Sequence, residues 1–262
     1  MKHRNLFSLF VGIALVIGAC KEDDKPQKEE VKTNPLDTIT QFNGFILPEK
    51  GSITFSMDYN FDGAPIVLNS QNYVTEGGDT FAIKDLKHYL TNITLKRVDG
   101  SELNLGNYNL LDYAVENSTT FTISDVPAGN YNGLSLLIGV DPTRNHEGLQ
   151  EGALDPAYGM FWTWSTGYIF FRINGPTSKG TNYSFDLGGD SNLPTTILDL
   201  KEFKVKSKAP KINLVMDVNE MFVNPEVYSF EKDGYVLHSE TEPNAPKLSG
   251  NMDDMVGVHS IE

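Results

Sequence analysis

The chain has 262 residues, of which 39% are hydrophobic and 21% are charged, and this balance is typical of a folded protein. Its 35 acidic residues outnumber its 21 basic residues, giving a net charge of −14. That charge argues against binding nucleic acid or an anionic lipid surface by general electrostatic attraction. The many glycine, proline, phenylalanine and tyrosine residues favour short strands joined by turns over a helical bundle.

The first residues predict a secretion signal that ends at a lipidated cysteine. Lys2 and Arg4 supply positive charge, and residues 6–18 form an apolar run that is too short to span a membrane. The run leads into the sequence IGAC, which resembles a bacterial lipobox and ends at Cys20. We therefore predict a lipoprotein signal peptide over residues 1–19 and lipidation of the Cys20 thiol. The alternative is an ordinary cleaved signal followed by a chance cysteine.

Residues 20–50 are predicted to form the lipidated cysteine and a flexible charged tether. Residues 21–35 are densely charged and contain no aromatic side chain, so they cannot bury much apolar surface. The acidic residues directly after Cys20 resemble the export signal of some Gram-negative lipoproteins, although a plain spacer is the alternative. We expect an outer-membrane lipoprotein, either surface-exposed or facing the periplasm. Because Cys20 is the only cysteine, it can form no intrachain disulfide and no cysteine-based metal site.

Residues 51–262 predict an all-β domain, an antiparallel β-sandwich with a long irregular loop insertion after the disordered lipoprotein tether. Apolar and polar residues alternate, with Ile53, Phe55, Met57 and Tyr59 on one predicted face. The same alternation predicts a strand with Tyr89, Thr91, Ile93 and Leu95 on one face. It predicts further strands near residues 169–173 and 212–218. Residues 141–167 are long for a connection between strands, and such loops are usually functional or locally structured.

One block of motifs in the middle of the chain resembles a known family. In order, it reads IGVD from Ile138, GALDP from Gly152, GMFWTW from Gly159 and GYIFF from Gly167. Upstream VPAGNY and KHYLTNI and downstream FDLGG extend the likeness over roughly residues 50–220. Together these motifs resemble the MbnP-like family, the copper-binding proteins associated with methanobactin.

The resemblance implies a periplasmic or surface β-sandwich. In characterised members it implies a mononuclear copper site built from histidines and an oxidised tryptophan, with a partner haem oxidase. When the resemblance is applied to this chain, it implies that Trp162 and Trp164 are the tryptophans that could be modified. His88 and His146 are the histidines of the matching segments. In the family a histidine often precedes the Leu-Gly-Gly turn, but this chain has Asp186 there.

The residues themselves leave the metal site open. Copper prefers imidazole together with thioether or oxygen donors, so we consider His88, His146 and Met160 as candidate ligands. No two histidines have a spacing that by itself predicts chelation. The structural alternatives are a hydrogen-bonded strand residue for His88, a solvated loop residue for His146 and a core side chain for Met160. His238 and His259 are expected at the surface.

Two further candidate sites lie in the same block. Trp162 and Trp164, two residues apart, could fill the sandwich, stack on a sugar or peptide, or be oxidised near a metal. Oxygen donors from Asp141, Asn145 and Asp155 could bind calcium, although solvated charge is the ordinary interpretation and the spacing does not match an EF-hand.

No motif predicts catalysis, since the chain lacks a nucleophile elbow, a phosphate-binding loop and a His-Glu-Xaa-Xaa-His sequence. The leading hypothesis is a lipid-anchored binding protein with copper as its ligand. The alternative is a metal-free surface module that recognises a glycan, a peptide or an outer-membrane partner protein. We expect no nucleic-acid partner.

Overall fold

Eighteen β-strands and three short α-helices make up the part of the chain that this computed structural model describes. The described residues are 39–42, 45–69, 72–162, 167–206 and 209–262, with only the backbone described before residue 49. All of them belong to the unit Pro35–Glu262. The predicted signal peptide, Cys20 and Trp164 lie outside the described residues.

Most of the strands are short and follow one another closely. In chain order they are β1 Ile39–Phe42, β2 Phe45–Pro48, β3 Lys50–Phe61, β4 Ala64–Pro65, β5 Asn72–Val74, β6 Thr80–Ala82, β7 Asp85–Arg97, β8 Glu102–Asn104, β9 Tyr108–Asp112, β10 Thr120–Pro127, β11 Gly129–Ile138, β12 Phe161–Trp162, β13 Gly167–Pro176, β14 Asn182–Gly188, β15 Thr195–Val205, β16 Lys211–Asp217, β17 Val236–Leu237 and β18 Val256–Ile261. The helices are α1 Pro142–Asn145, α2 Phe230–Asp233 and α3 Ala245–Gly250. Single 3₁₀ turns lie at Gly152–Leu154, Pro156–Tyr158, Asp190–Asn192 and Glu220–Phe222.

The smaller of the two main sheets has five strands in the order β10-β3-β16-β18, with β4 beside β3. The predicted alternation along β3 is confirmed, because Ile53, Phe55, Met57 and Tyr59 are each at most 2% exposed while their neighbours reach the other face. Most pairings are antiparallel, but β3 and β16 run parallel. The sandwich prediction is confirmed, and strand β18 completes this sheet at the end of the chain.

The larger sheet has nine strands in the order β15-β11-β7-β13-β14-β17, with β8, β9 and β12 attached to β7 and β13. Its strand β7 departs from the predicted alternation at Asn92, which has a φ of 51° and lies where the register with β11 shifts. This extra residue is a bulge that reverses the direction of the following side chains. Leu90 and Ile93 therefore both enter the core between the sheets, and Tyr89 points away from it.

The main core lies between the two sheets and is rich in aromatic rings. Phe81 contacts Tyr183, Phe222 and Phe230 at ring-centroid distances of 5.1 to 5.5 Å. Burying each such ring stabilises the fold by about 1.5–3 kcal/mol. Residues 219–250, which carry the last 3₁₀ turn, α2 and α3, cover this end of the sandwich.

The predicted loop 141–167 is a folded segment over the outer face of the larger sheet, as far as it is described. Asp141 caps α1, and the two 3₁₀ turns at Gly152–Leu154 and Pro156–Tyr158 lead into β12, which pairs with β13. We call residues 141–162 the cover segment. Because it lies over the second face of the sheet, residues 88–91 of β7 and 167–171 of β13 are buried on both faces.

Two strands, β1 and β2, pair with each other inside the range predicted as a tether. No helix among the described residues is long and apolar enough to cross a membrane.

Candidate functional site

His88 is a core residue of strand β7. Its side chain is fully buried, with the Nδ1 atom 3.2 Å from the backbone oxygen of Tyr89 and the Nε2 atom 2.8 Å from the Tyr59 hydroxyl oxygen. A carbonyl oxygen can only accept, so the Nδ1–H donates to it and the Nε2 atom accepts from the tyrosine hydroxyl. The ring also stacks on Phe171. Burial lowers the pKa of His88 to about 4, so the imidazole is neutral near pH 7.

Met160 and Trp162 form part of a second hydrophobic core beneath the cover segment. Each is 1% exposed, and the cluster is completed by side chains of the sheet and the cover segment, namely Tyr89, Val140, Leu154, Tyr168, Ile169 and Phe170. Gly188 allows the indole to approach, because a Cβ atom at that position would lie 2.8 Å from a ring carbon of Trp162 and 2.5 Å from the Tyr168 backbone oxygen. Both side chains therefore have the packing role that was the alternative to ligand binding.

His146 lies at the surface, directly after α1. Its side chain is 62% exposed, and its Nε2 atom is 2.8 Å from a carboxylate oxygen of Asp190. The other carboxylate oxygen of Asp190 accepts from the Asn145 amide at 2.9 Å. Asn145 also accepts from the Tyr168 backbone N–H, so it ties the cover segment to the start of β13. His146 is thus an accessible imidazole beside one carboxylate.

Asp186, which replaces the histidine often found before the Leu-Gly-Gly turn, is held by an arginine. The Arg172 Nε and Nη2 atoms donate to its two carboxylate oxygens at 2.6 and 2.9 Å. The two residues lie directly opposite each other on β13 and β14. The exposed His238 side chain adds a contact of 3.0 Å to the same carboxylate. The guanidinium supplies the positive charge that this nearly buried carboxylate requires, and the hydrogen bonds that Arg172 donates to Asp186 raise the pKa of Arg172.

The predicted calcium ligands serve as internal hydrogen-bond acceptors. One Asp141 oxygen caps α1 by accepting from the Arg144 N–H, and the other accepts from Asn92 and from the Tyr108 hydroxyl. Asp155 caps the following 3₁₀ turn, accepting from a backbone N–H at 2.8 Å. Within the ranges that the structure describes, no group of three or more histidine, cysteine, aspartate or glutamate side chains is arranged to hold a metal ion.

An open groove lies where the cover segment meets strands β9 and β10, with a volume of about 370 Å³. Its apolar lining includes Leu110, Phe121 and the ring of Tyr158, which is 55% exposed. Its polar lining includes the Lys87–Asp112 ion pair, whose charged atoms are 2.9 Å apart. No local sequence pattern predicts this site, because its residues come from distant segments of the chain.

A second compartment continues the groove toward α1. It also measures about 370 Å³ and shares Tyr108 and Ala153 with the first. Arg144 and Gln150 line its far side, and the Arg144 guanidinium lies 5.7 Å from the centre of the Tyr108 ring. The cover segment therefore forms one wall of both compartments.

Comparisons with known proteins agree with the fold and the motif block. The family model described as MbnP matches residues 50–239. The solved structure of MbnP from Methylosinus trichosporium superposes with a TM-score of 0.52, covering 81% of this chain and 100% of that chain at 14% sequence identity. No curated protein matches significantly. On the family match over most of its length, the chain belongs to the MbnP family.

Proposed function

We propose that this protein is a lipid-anchored, non-enzymatic recognition protein of the outer membrane that binds its ligand in the groove beside the cover segment, without a metal ion. The signal-like N-terminus that ends at Cys20 supports the anchor, and the acidic residues after it support placement in the outer membrane. The net charge of −14 supports a ligand other than nucleic acid.

One observation carries the recognition proposal. The cover segment contains the GALDP motif and part of the GMFWTW motif, yet its buried side chains Met160 and Trp162 are used in packing. At the wall of a concave site with an ion pair, the cover segment presents the exposed ring of Tyr158. Concave, largely apolar sites with a few placed polar groups are typical of ligand binding.

Two of the three donors expected for copper, His88 and Met160, have other roles in the described residues. Both nitrogens of His88 are engaged inside the main core, and Met160 belongs to the second core. At the position of the family histidine, Arg172 neutralises Asp186, so a cation already occupies the contacts that a metal would need.

Copper binding is a second candidate, favoured by family membership and by one accessible imidazole. His146 and Asp190 form an imidazole–carboxylate pair of the kind that copper(II) prefers. Asn145, the residue before His146, accepts a hydrogen bond from the backbone N–H of Tyr168, which comes four residues after Trp164 in the sequence. This second candidate function also includes a partner haem oxidase and an oxidised tryptophan, as the family resemblance implies. Copper(I) and copper(II) titrations of the wild type and His146→Ala, with the exposed His259→Ala as control, test it.

A ligand panel tests the recognition proposal. We expect at least one neutral sugar, peptide or amphiphile to raise the melting temperature of the full chain, and Tyr158→Ala to abolish that shift. Ile197→Ala is the matched control, because Ile197 is 76% exposed on strand β15 and does not line the groove. Ligand-induced shifts that survive Tyr158→Ala would place binding elsewhere.

The membrane anchor has its own test. Replacement Cys20→Ala is expected to release the protein from the membrane fraction and to remove the mass of the lipid. External protease on whole cells then distinguishes a surface-exposed chain from one that faces the periplasm. Membrane retention of Cys20→Ala without lipid would contradict the anchor.

A further inference from the structure

The two compartments of the groove are adjacent. Tyr108 and Ala153 line both, so a ligand that passes over them can occupy each side. Each compartment alone is of the size that holds a small molecule. The geometry therefore suits a ligand made of at least two linked units rather than one compact group.

The walls of this site offer aromatic and apolar faces. Tyr158 presents an exposed ring on the side of the cover segment, and the half-buried ring of Tyr108 lies between the compartments. Val115, which is 54% exposed, and Leu110 add aliphatic surface. Such faces bind flat ligands that have an apolar side, and a tyrosine adds a hydroxyl for hydrogen bonding.

Three of the four charged side chains that line the groove, Lys87, Asp112 and Arg144, are already paired, whereas Glu151 is exposed and takes part in none of these ion pairs. Lys87 and Asp112 are 2.9 Å apart with side chains only 23% and 16% exposed, so their pairing is partly shielded from water. Arg144 at the other end pairs with Glu147 at 2.7 Å. An anion would have to displace Asp112 from Lys87 or Glu147 from Arg144, and it would also meet Glu151 and a chain of net charge −14. The site therefore disfavours an anionic ligand.

We propose that the groove binds a neutral oligosaccharide of at least two sugar rings, an inference that rests on the proposed recognition function. A sugar ring has an apolar C–H face that can lie on Tyr158 or Tyr108. Its adjacent hydroxyls can donate to the Asp112 carboxylate and accept from the Lys87 ammonium without breaking that ion pair. A peptide offers only one backbone donor and one acceptor per residue, so it matches this close set of side-chain donors and acceptors less well.

The test uses the full lipidated chain in a detergent that contains no sugar headgroup. Calorimetric titrations compare the tetrasaccharides of cellulose, starch amylose, mannan and xylan with a tetramer of galacturonic acid and with uncharged tetrapeptides. We expect binding of a neutral tetrasaccharide, weakened roughly tenfold by Tyr158→Ala, retained by Tyr158→Phe and unchanged by Ile197→Ala. Unchanged melting temperatures would show that the variants are folded.

The results that would overturn only the sugar proposal differ from those that would also overturn the recognition function. Tighter binding of galacturonic acid than of any neutral sugar, or binding that Tyr158→Ala leaves unchanged, would overturn the sugar proposal. Binding of peptides alone, lost in Tyr158→Ala, would overturn the sugar proposal and keep the recognition function. A chain that binds no sugar or peptide but takes up stoichiometric copper would overturn both.

Discussion

The buried pair of His88 and Tyr59 makes the stability of the domain depend on pH in a defined way. The folded pKa of His88 is about 4, whereas the unfolded chain has the ordinary histidine pKa of about 6.5. The unfolded state therefore binds more protons between these two values, and stability falls as the pH is lowered through this window. The loss from His88 alone is about 2 kcal/mol at pH 5 and approaches about 3 kcal/mol below pH 4.

A double replacement isolates this contribution. His88→Leu alone leaves the Tyr59 hydroxyl buried without its acceptor and is expected to cost about 1–3 kcal/mol at every pH. Adding Tyr59→Phe removes the orphaned group and should recover most of that cost. Between pH 8 and pH 5, the wild type should then lose about 2 kcal/mol more unfolding free energy than the double variant.

Urea unfolding at pH 8, 7, 6 and 5 measures these differences directly. Other titrating groups act equally in both proteins, so they cancel in the comparison. His259→Gln is the control, because His259 is exposed on β18 and should leave the wild-type slope unchanged. A double variant with the same pH dependence as the wild type would refute the assignment of His88 as a neutral core residue.

Three other replacements probe the packing around the cover segment. Trp162→Ala should lower the unfolding free energy by about 3–5 kcal/mol, as read by urea titration, because it empties the second core. Gly188→Ala should cost about 1–3 kcal/mol in the same assay, since its Cβ would lie 2.5 Å from the Tyr168 backbone oxygen, and an unchanged stability would contradict that close approach. Arg172→Met should cost about 3 kcal/mol by leaving the Asp186 carboxylate without its guanidinium, and adding Asp186→Leu should recover most of this loss in thermal unfolding.

Strand patterns were predictable where only one face of a strand is buried. The alternation at Ile53 to Tyr59 predicted β3 correctly, because that strand has one face in the core. The same reasoning failed within β7, since the bulge at Asn92 reverses the alternation and the cover segment buries the second face. A bulge at an asparagine and coverage by a distant segment leave no periodic signal in the sequence.

The candidate site was predictable only in its outline. The motif block located the cover segment and the family, and the alternatives already included a hydrogen-bonded strand residue for His88 and packing roles for Met160 and Trp162. The structure gives these three residues packing roles, while whether the chain binds copper stays a prediction. The pairing of Arg172 with Asp186 depends on the register of two strands, and the groove depends on the fold bringing Lys87 and Tyr158 to one lining. Contacts of this kind follow from topology rather than from local sequence.

Copper content together with intact mass, measured on the protein extracted from its own membrane, tests the central claim most directly. If the cover segment is a scaffold and groove wall, the chain should carry less than stoichiometric copper, and Trp162 and Trp164 should be unmodified. One copper per chain together with an oxygen-sized addition on the peptide that contains them would contradict it.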